Sequence, residues 1–204
     1  MKSLLILLAL CACAMAQFGS TGQTGIVNAH NTMRRSIAKG TYVAKGTKKP
    51  AGSNIRQMKW DSALATQAQG YVNSCPDDHS GMSGVGENMY WYWTSGSLGD
   101  LNQYGAMASA AWEQEFQDYG WNSNYFDANL FNTGVGHATQ MAWASTYLVG
   151  CGVKNCGLDG SFNKVEVVCQ YKAQGNYLNQ NIYTSGAACS ACPSGTTCND
   201  GLCA

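Results

Sequence analysis

Charge is scarce in this chain. Of its 204 residues only 12% are charged, and 12 Lys and Arg balance 12 Asp and Glu. No basic run is longer than Lys48-Lys49, which argues against nucleic acid or an anionic membrane as an electrostatic partner. An apolar ligand is compatible with this composition. The sequence also lacks an Asn-x-Ser/Thr acceptor, so ordinary N-glycosylation is not expected.

Long apolar runs are missing too, apart from one near the amino terminus. Leu4 to Cys13 follows a short basic start and precedes the small-residue pattern Ala14-Met15-Ala16. A run of 10 residues is shorter than the roughly 20 that a membrane helix needs, and this arrangement is typical of a secretory signal. We expect residues 1–16 to be a signal peptide, the mature protein to begin near Gln17, and its location to be extracellular. We expect no integral membrane segment.

Cysteine, in contrast, is plentiful. Eight cysteines follow the predicted signal: Cys75, Cys151, Cys156, Cys169, Cys189, Cys192, Cys198 and Cys203. An even number in a secreted chain predicts a disulfide framework, whose pairing the spacing alone leaves open. Cys189-Ser190-Ala191-Cys192 resembles a redox or zinc half-site, but the secreted context favours a disulfide. The density of cysteine after Gly186 predicts a main domain over residues 17–186 and a small disulfide-stapled tail over residues 187–204.

Hydrophobic periodicity predicts three helices and, late in the chain, a hairpin. The first helix carries Ile26, Met33 and Ile37 at helical spacing, with Thr24 as its N-cap. The second begins after the N-cap Asp61, and the third runs from about Gln103 to Tyr119. Residues 39–53 and 75–86 are predicted loops. Alternating segments at Tyr147–Val153 and Val165–Tyr171 predict an antiparallel hairpin, so the fold class is α+β.

Five polar residues stand out among these elements. His30 lies on the apolar stripe of the first helix and is interpreted as structural. Glu115 shares a stripe of the third helix with Tyr104, Ala108, Ala111 and Trp112, so it must be paired if it is buried; a rotated helix would instead let it reach solvent. His79 lies in a loop, Glu87 precedes the aromatic block "MYWYW", and His137 follows two glycines at the start of a short helix.

No standard catalytic or metal-site motif accompanies these residues. The sequence has no His-Glu-x-x-His, no pair of Cys-x-x-Cys motifs and no Gly-x-Ser-x-Gly. From the residues alone, the sequence supports a secreted α+β domain and little more.

Two late segments resemble the signature motifs of the CAP superfamily of cysteine-rich secretory, venom-allergen and pathogenesis-related proteins. They are "GHATQMAWASTYLVGCGV" and "VVCQYKAQGNYLNQNIYTSG". The resemblance continues upstream through "IVNAHNTMRRSIAKG", "HSGMSGVGENMYWYW" and "AWEQEF", and the tail is similar to the family's hinge module. Within the family, the chain looks most like the nematode secreted venom-allergen-like proteins.

The resemblance implies an α-β-α sandwich around a cleft that holds two His and two Glu. Carried over by motif, these are His79, Glu87, Glu115 and His137, all candidates for a functional tetrad. His79 and His137 are the expected ligands of Zn²⁺ or a similar divalent cation, and the glutamates are expected to orient them. The resemblance also implies the disulfides Cys75–Cys156, Cys151–Cys169, Cys189–Cys198 and Cys192–Cys203.

The sequence departs from the family pattern at two positions. Ala138 replaces an aromatic residue, which we expect to widen the cleft mouth, and Glu166 replaces an apolar residue.

The resemblance suggests three functions. The first hypothesis is a non-catalytic module that binds sterol or fatty acid, with Tyr90–Trp93, Trp121, Tyr125 and Phe126 as candidate groove or core rings. The alternatives are a metal-dependent hydrolase and an effector that contacts an extracellular or host protein. No catalytic residue is established, and we do not expect an enzyme.

Overall fold

A four-stranded sheet lies at the centre of the computed structural model, which describes residues 17–204. The strand order is β3-β6-β7-β4, with β3 Lys59–Trp60, β4 Gly86–Thr94, β6 Leu148–Asp159 and β7 Phe162–Lys172. β6 and β7 form the predicted antiparallel hairpin, β4 pairs antiparallel with β7, and β3 pairs parallel with β6. The predicted signal peptide, residues 1–16, lies outside the described residues.

Helices cover both faces of this sheet. They are α1 Ser20–Ala38, α2 Ser62–Val72, α3 Gln103–Asp118, α4 Ala128–Phe131 and α5 Gly136–Ala142. On one face, Ala68 and Val72 of α2 pack on Met89 and Val168. On the other, buried residues of α1, α3 and α5 join the opposite side of the same strands in the larger core. The α+β class and its α-β-α layering are thereby confirmed.

Three short two-stranded sheets complete the secondary structure of the described residues. They are β1 Val43–Ala44 with β2 Thr47–Lys48, β5 Tyr125–Phe126 with β8 Gln180–Asn181, and β9 Cys198–Asn199 with β10 Leu202–Cys203. The first of them lies inside the predicted loop over residues 39–53. The second ties the segment after α3 to the segment after β7, and both of these segments border the cleft described below.

Two local predictions about the helices can be compared directly with the structure. Asp61 is confirmed as the N-cap of α2, since its Oδ1 accepts the Leu64 N–H at 2.8 Å. Thr24 is wrong as the N-cap of α1, because the helix already begins at Ser20 after Gly19. The Gly19 N–H donates to Oδ1 of Asn102 at 2.8 Å. This contact comes from a distant part of the chain, so periodicity could not show it.

Close packing between α2 and the sheet depends on two glycines of β6. A Cβ on Gly150 would lie 2.2 Å from the Ala65 nitrogen, and one on Gly152 would lie 2.5 Å from Cα of Gln69. Both neighbours are backbone atoms and cannot move aside as a side chain would. The glycines therefore set how near the α2 layer comes to the sheet.

Four disulfides hold the described chain together. They are Cys75–Cys156, Cys151–Cys169, Cys189–Cys198 and Cys192–Cys203. The second bridges β6 and β7 in the core, and the first ties the loop before β4 to β6. The tail is not merely appended, because Leu202 is fully buried in the main core. Backbone hydrogen bonds also join Cys203 to Ile55 and Gln57.

Candidate metal centre

The four residues of the candidate tetrad meet in one cleft, although each comes from a different element. His79 lies on the loop between α2 and β4, Glu87 is the second residue of β4, Glu115 lies on α3, and His137 is the second residue of α5. Two adjoining cavities of about 310 and 280 Å³ form the cleft, and His79, Glu87 and Asn176 line both.

Glu87 holds the His79 loop in place. Nδ1 of His79 and the Ser80 N–H both donate to Oε1 of Glu87, at 3.0 and 2.8 Å, and Nε2 of Gln170 donates to Oε2 at 3.0 Å. Burial alone would raise the pKa of Glu87, but these hydrogen bonds outweigh it and lower that pKa to about 2. The Glu87 hydrogen bond raises the pKa of His79 against the opposing effect of burial. Glu87 is thus a carboxylate anchored by three donors.

Glu115 plays the corresponding part for His137. Nδ1 of His137 donates to Oε1 of Glu115 at 2.5 Å, while the N–H groups of His137 and Ala138 donate to Oε2, each at 3.0 Å. The carboxylate thus orients the imidazole and also binds free N–H groups at the start of α5. Trp112, one turn earlier on α3, stacks on the His137 ring at 6.1 Å between centroids. The His137 ring is held on two sides.

The two carboxylate–imidazole pairs leave one nitrogen of each ring for another ligand. Because Nδ1 of both histidines is engaged by a glutamate, Nε2 is the nitrogen through which each ring could bind a metal. The ring centroids are 6.5 Å apart. Two imidazoles that share a tetrahedral zinc ion have ring centroids roughly 5 Å apart, given a Zn–N distance of about 2.0–2.1 Å. The rings therefore fit one shared divalent cation after a closer approach, for which His79, with 52% of its side chain exposed on a loop, has more room.

The glutamates are not placed as direct ligands. Within residues 17–204, the compact groups of three or more potential ligand atoms are Cys189, Cys192 and Cys203, and Cys75, Cys156 and Glu166. All of these cysteines are in disulfides, so neither group is available to a metal. The tetrad is more open than either group, which suits a site with two protein ligands and further positions for water or an exogenous ligand.

Sequence reasoning missed several residues that support the site. Nδ2 of Asn88 donates to the His137 carbonyl at 3.2 Å and to the Tyr171 hydroxyl at 3.3 Å. Asn176 follows β7 and donates from Nδ2 to the Gly136 carbonyl at 2.7 Å. Asn88 directly follows the tetrad residue Glu87 in "GEN", and this position in the motif could have marked it as a residue near the cleft. Asn176 lies in the quoted segment "VVCQYKAQGNYLNQNIYTSG", but nothing in that segment ties it to the cleft, because its place depends on where the chain runs after β7.

His30 has the structural role that its helical stripe predicts. It is fully buried, its Nδ1 donates to the Ile26 carbonyl at 2.8 Å, and its Nε2 accepts from the Tyr171 hydroxyl at 2.9 Å. Burial lowers its pKa to about 4, so the ring is neutral. Through Tyr171 and Asn88, this buried hydrogen-bond chain reaches the His137 backbone.

Several expectations about individual side chains are wrong. Ala138 is fully buried and so cannot widen the cleft mouth, and Ala111 is exposed rather than part of the buried stripe. For Trp121 and Phe126, which were candidates for groove or core, the core alternative is confirmed, with 2% and 1% exposure. Helical or strand spacing alone does not tell a buried ring from a groove ring. Glu166 is buried and paired with Lys164 at 2.7 Å.

Other aromatic side chains divide between the core and solvent. Tyr90 and Tyr92 are partly buried against the main core, and Trp91 packs on the α2 cluster. Trp93 and Tyr125 are each 45% exposed. Among residues 17–204, no helix combines the length and apolar character that crossing a membrane requires.

Comparison with protein families gives a match over most of the chain. The model described as "CAP: Cysteine-rich secretory protein family" matches residues 27–171. This range includes all four tetrad residues and both strands of the central hairpin.

Individual proteins give the same picture. The chain is 35% identical to Cysteine-rich secretory protein 3 of Equus caballus, with 89% of this chain and 68% of that protein aligned. It is 37% identical to the Ancylostoma secreted protein of Ancylostoma caninum, where the alignment covers 90% of this chain but 45% of that protein. The solved structure of NaASP2 with Zn²⁺ is 31% identical and superimposes with a TM-score of 0.83 over 92% of this chain and 97% of that one.

Proposed function

The chain belongs to the cysteine-rich secretory protein (CAP) family, in its nematode venom-allergen-like branch, and from this premise we propose that it is a secreted, non-catalytic binding module. In this proposal His79 and His137 hold Zn²⁺ or a similar divalent cation through Nε2. The observation that carries it is the engagement of both Nδ1 atoms by glutamates. NaASP2, a structural relative, has been solved with Zn²⁺.

Each residue of the tetrad has a defined part in this proposal. The glutamates fix the tautomer with the proton on Nδ1, which leaves Nε2 unprotonated and directed away from its carboxylate. They also add negative charge close to the cation. A bound cation would supply a Lewis-acidic centre with open positions for an exogenous ligand. The chain itself supplies the orientation and the cavity.

The alternative of a metal-dependent hydrolase is less well supported by the geometry. A hydrolase needs a general base within reach of a water molecule. Glu87 and Glu115 are the carboxylates of the cleft, and each already accepts three hydrogen bonds. A base so fully occupied has little capacity to take a proton, and the low pKa of Glu87 makes it a weak one. We therefore propose binding rather than turnover.

An extracellular location agrees with the disulfide pattern. All eight cysteines within residues 17–204 are paired, and such density is characteristic of oxidising compartments. The names of the two relatives above describe secretory or secreted proteins. We propose that residues 1–16 direct the same export here.

The sterol or fatty-acid ligand is not favoured by the cleft, because two carboxylates and several amide side chains are among its lining residues. Labelled sterol and fatty acid should be titrated into wild type with Zn²⁺ and with a chelator. Any binding is expected to be independent of Zn²⁺, because an apolar ligand would occupy another surface. Zn²⁺-dependent lipid binding would contradict this assignment. An extracellular or host protein is the remaining class of partner, and the exposed rim of the cleft is its expected contact.

The direct test of the proposal is calorimetric titration with Zn²⁺. Wild type is expected to bind one ion per chain, and the double variant His79→Ala/His137→Ala to bind none. Glu113→Gln is the matched control, since Glu113 lies on α3 near Tyr42 and outside the cleft, and its affinity should equal that of wild type. Unchanged Zn²⁺ binding by the double variant, with a native circular dichroism spectrum, would refute the site.

A further inference from the structure

The cleft is larger than a metal site requires. Its two cavities, of about 310 and 280 Å³, are in the size range of small-molecule binding sites. They share three lining residues, so an extended ligand could occupy both at once. The composition of their walls then identifies the chemical class of that ligand.

The walls carry hydrogen-bonding groups and almost no positive charge. Apart from the tetrad, the polar side chains that line one cavity or both are Ser80, Asn88, Gln140, Gln174 and Asn176. Neither lining set, taken over the described residues, contains Lys or Arg, and two carboxylates face the space. An anionic ligand such as a sulfated sugar or a phosphate would meet repulsion here. A long apolar ligand would place apolar surface against the two carboxylates and these five polar side chains.

Among the buried polar atoms of the described residues, one that belongs to a cleft residue has no hydrogen-bond partner. Asn176 lies where the two cavities meet and is fixed through Nδ2 by the Gly136 carbonyl. Its Oδ1 accepts no hydrogen bond from the described residues. By contrast, Gln140 uses both ends of its amide, toward Gly175 and Thr146. This Oδ1 is itself buried, so a ligand hydroxyl group would reach it only if the Asn176 side chain turned toward the cleft.

Exposed aromatic rings border this polar cleft. Phe131 lines one cavity although it is 52% exposed. Tyr119 is 53% exposed, and its ring lies 3.4 Å from where a Cβ on the cavity residue Gly134 would be. Tyr177, 45% exposed, directly follows Asn176. Rings that are wet on one face offer flat apolar surfaces to a ligand that also presents polar groups.

We propose that the cleft binds a neutral oligosaccharide built of pyranose rings. Such a ligand combines hydroxyl groups, which match the amide, hydroxyl and carboxylate side chains, with C–H faces that stack on aromatic rings. It carries no charge, in agreement with walls that lack Lys and Arg. The inference rests on the proposed function insofar as it uses the same cleft, but the saccharide contacts named here do not include the metal.

The experiment is a titration with three neutral trisaccharides, cellotriose, triacetylchitotriose and mannotriose, and with a heparin-derived trisaccharide as the anionic comparison. Saturation-transfer NMR and calorimetry are run with Zn²⁺ and again with EDTA. We expect at least one neutral trisaccharide to bind saturably and the heparin fragment not to bind. Absence of binding by all three neutral sugars in both buffers, or preference for the heparin fragment, would overturn the inference.

Variants of the rim show whether binding takes place in the cleft. Phe131→Ala should weaken saccharide affinity about tenfold, the upper range for a lost ring contact, whereas Phe131→Trp should retain it. Phe162→Ala is the matched control: Phe162 is 49% exposed but begins β7, at the far end of that strand from Tyr171. Equal affinity in Phe131→Ala and Phe162→Ala would place the sugar elsewhere and overturn the inference.

The two proposals fail separately in this design. Zn²⁺ binding without any saccharide binding would contradict the inference and leave the metal site intact. Saccharide binding in EDTA by a protein that does not bind Zn²⁺ would uphold the inference and contradict the metal site.

Discussion

At the scale of single residues, the cleft contains the same carboxylate–imidazole arrangement twice. A carboxylate accepts from Nδ1 of a histidine and from nearby backbone N–H groups, both in the Glu87–His79 pair and in the Glu115–His137 pair. The settings differ in rigidity, since His79 is 52% exposed and His137 is 32% exposed and stacked on Trp112. The His137 half is therefore the preformed half of the site.

Replacing Glu115 tests whether a carboxylate is required to orient His137. In Glu115→Gln the amide can accept only through its oxygen, and the negative charge is lost. Zn²⁺ affinity should fall roughly 10–100-fold, the usual effect of removing the partner of a ligating histidine. Calorimetry checks this, with Glu113→Gln as the control. Affinity equal in both variants would mean that the glutamate serves only to cap α5.

His30 predicts a pH dependence of stability. Its pKa is about 4 in the folded protein against an ordinary 6.5, so the unfolded chain binds the proton more tightly. The contribution of neutral His30 to the free energy of unfolding is complete above pH 6.5. It is lost as the pH falls toward 4, by up to about 3 kcal/mol. Urea unfolding from pH 7 to pH 4 measures this loss. The variant His30→Gln should be less stable, but its free energy of unfolding should change less steeply with pH than that of wild type. Equal slopes in the two proteins would contradict the assignment.

At the scale of elements, α5 is held at both ends by other parts of the chain. Glu115 of α3 binds the N–H groups at its start. Arg34 of α1 binds carbonyl oxygens at its end and beyond: those of Met141, Trp143, Ala144 and Thr146, together with that of Arg56. Burial and the charge of Arg56 lower the pKa of Arg34 to about 9, so it remains a cation at neutral pH. The helix that presents His137 is thus fixed by the two other long helices of its own layer, α1 and α3.

Removing the Arg34 guanidinium should loosen this arrangement strongly. Arg34→Met would leave several buried carbonyls without donors, at about 1–3 kcal/mol each, so we expect the free energy of unfolding to fall by about 3 kcal/mol or more. The adjacent Arg35→Met is the control. Arg35 is partly exposed in an ion pair with Asp200, and its loss should change stability much less. Urea unfolding compares them, and similar losses would contradict this role for Arg34.

The elements also show what sequence reasoning reaches. Asp61 and the hairpin were predictable because capping and alternation are local signals. The start of α1 was not, since it depends on Asn102, 83 residues away. For the site, the stripe on α3 marked Glu115 as a residue that needs a partner. The family resemblance placed Glu115 and His137 in one cleft, but that they pair with each other is shown only by the fold.

At the scale of the whole molecule, the question is whether the cysteine-rich tail is a separate unit. Residues 187–204 contain two disulfides, which by themselves would allow independent folding. Yet Leu202 is fully buried in the main core, and Cys203 exchanges backbone hydrogen bonds with Ile55 and Gln57. Asp200 also pairs with Arg35 of α1 and with Lys39, the residue that follows this helix. We propose that the tail and residues 17–186 unfold together.

A pair of leucine substitutions tests this. Leu202→Ala removes a buried side chain from the core and should lower the free energy of unfolding of the entire protein by about 2–5 kcal/mol. Leu158→Ala, at a position 72% exposed, should change it by less than about 0.5 kcal/mol. Thermal unfolding is followed in parallel by tryptophan fluorescence and by hydrogen exchange of the tail amides. If the tail is integral, both probes move to the same lower midpoint in Leu202→Ala. If only the tail amides lose protection while the fluorescence midpoint stays at the wild-type value, residues 187–204 form an appendage, and the main core folds without them.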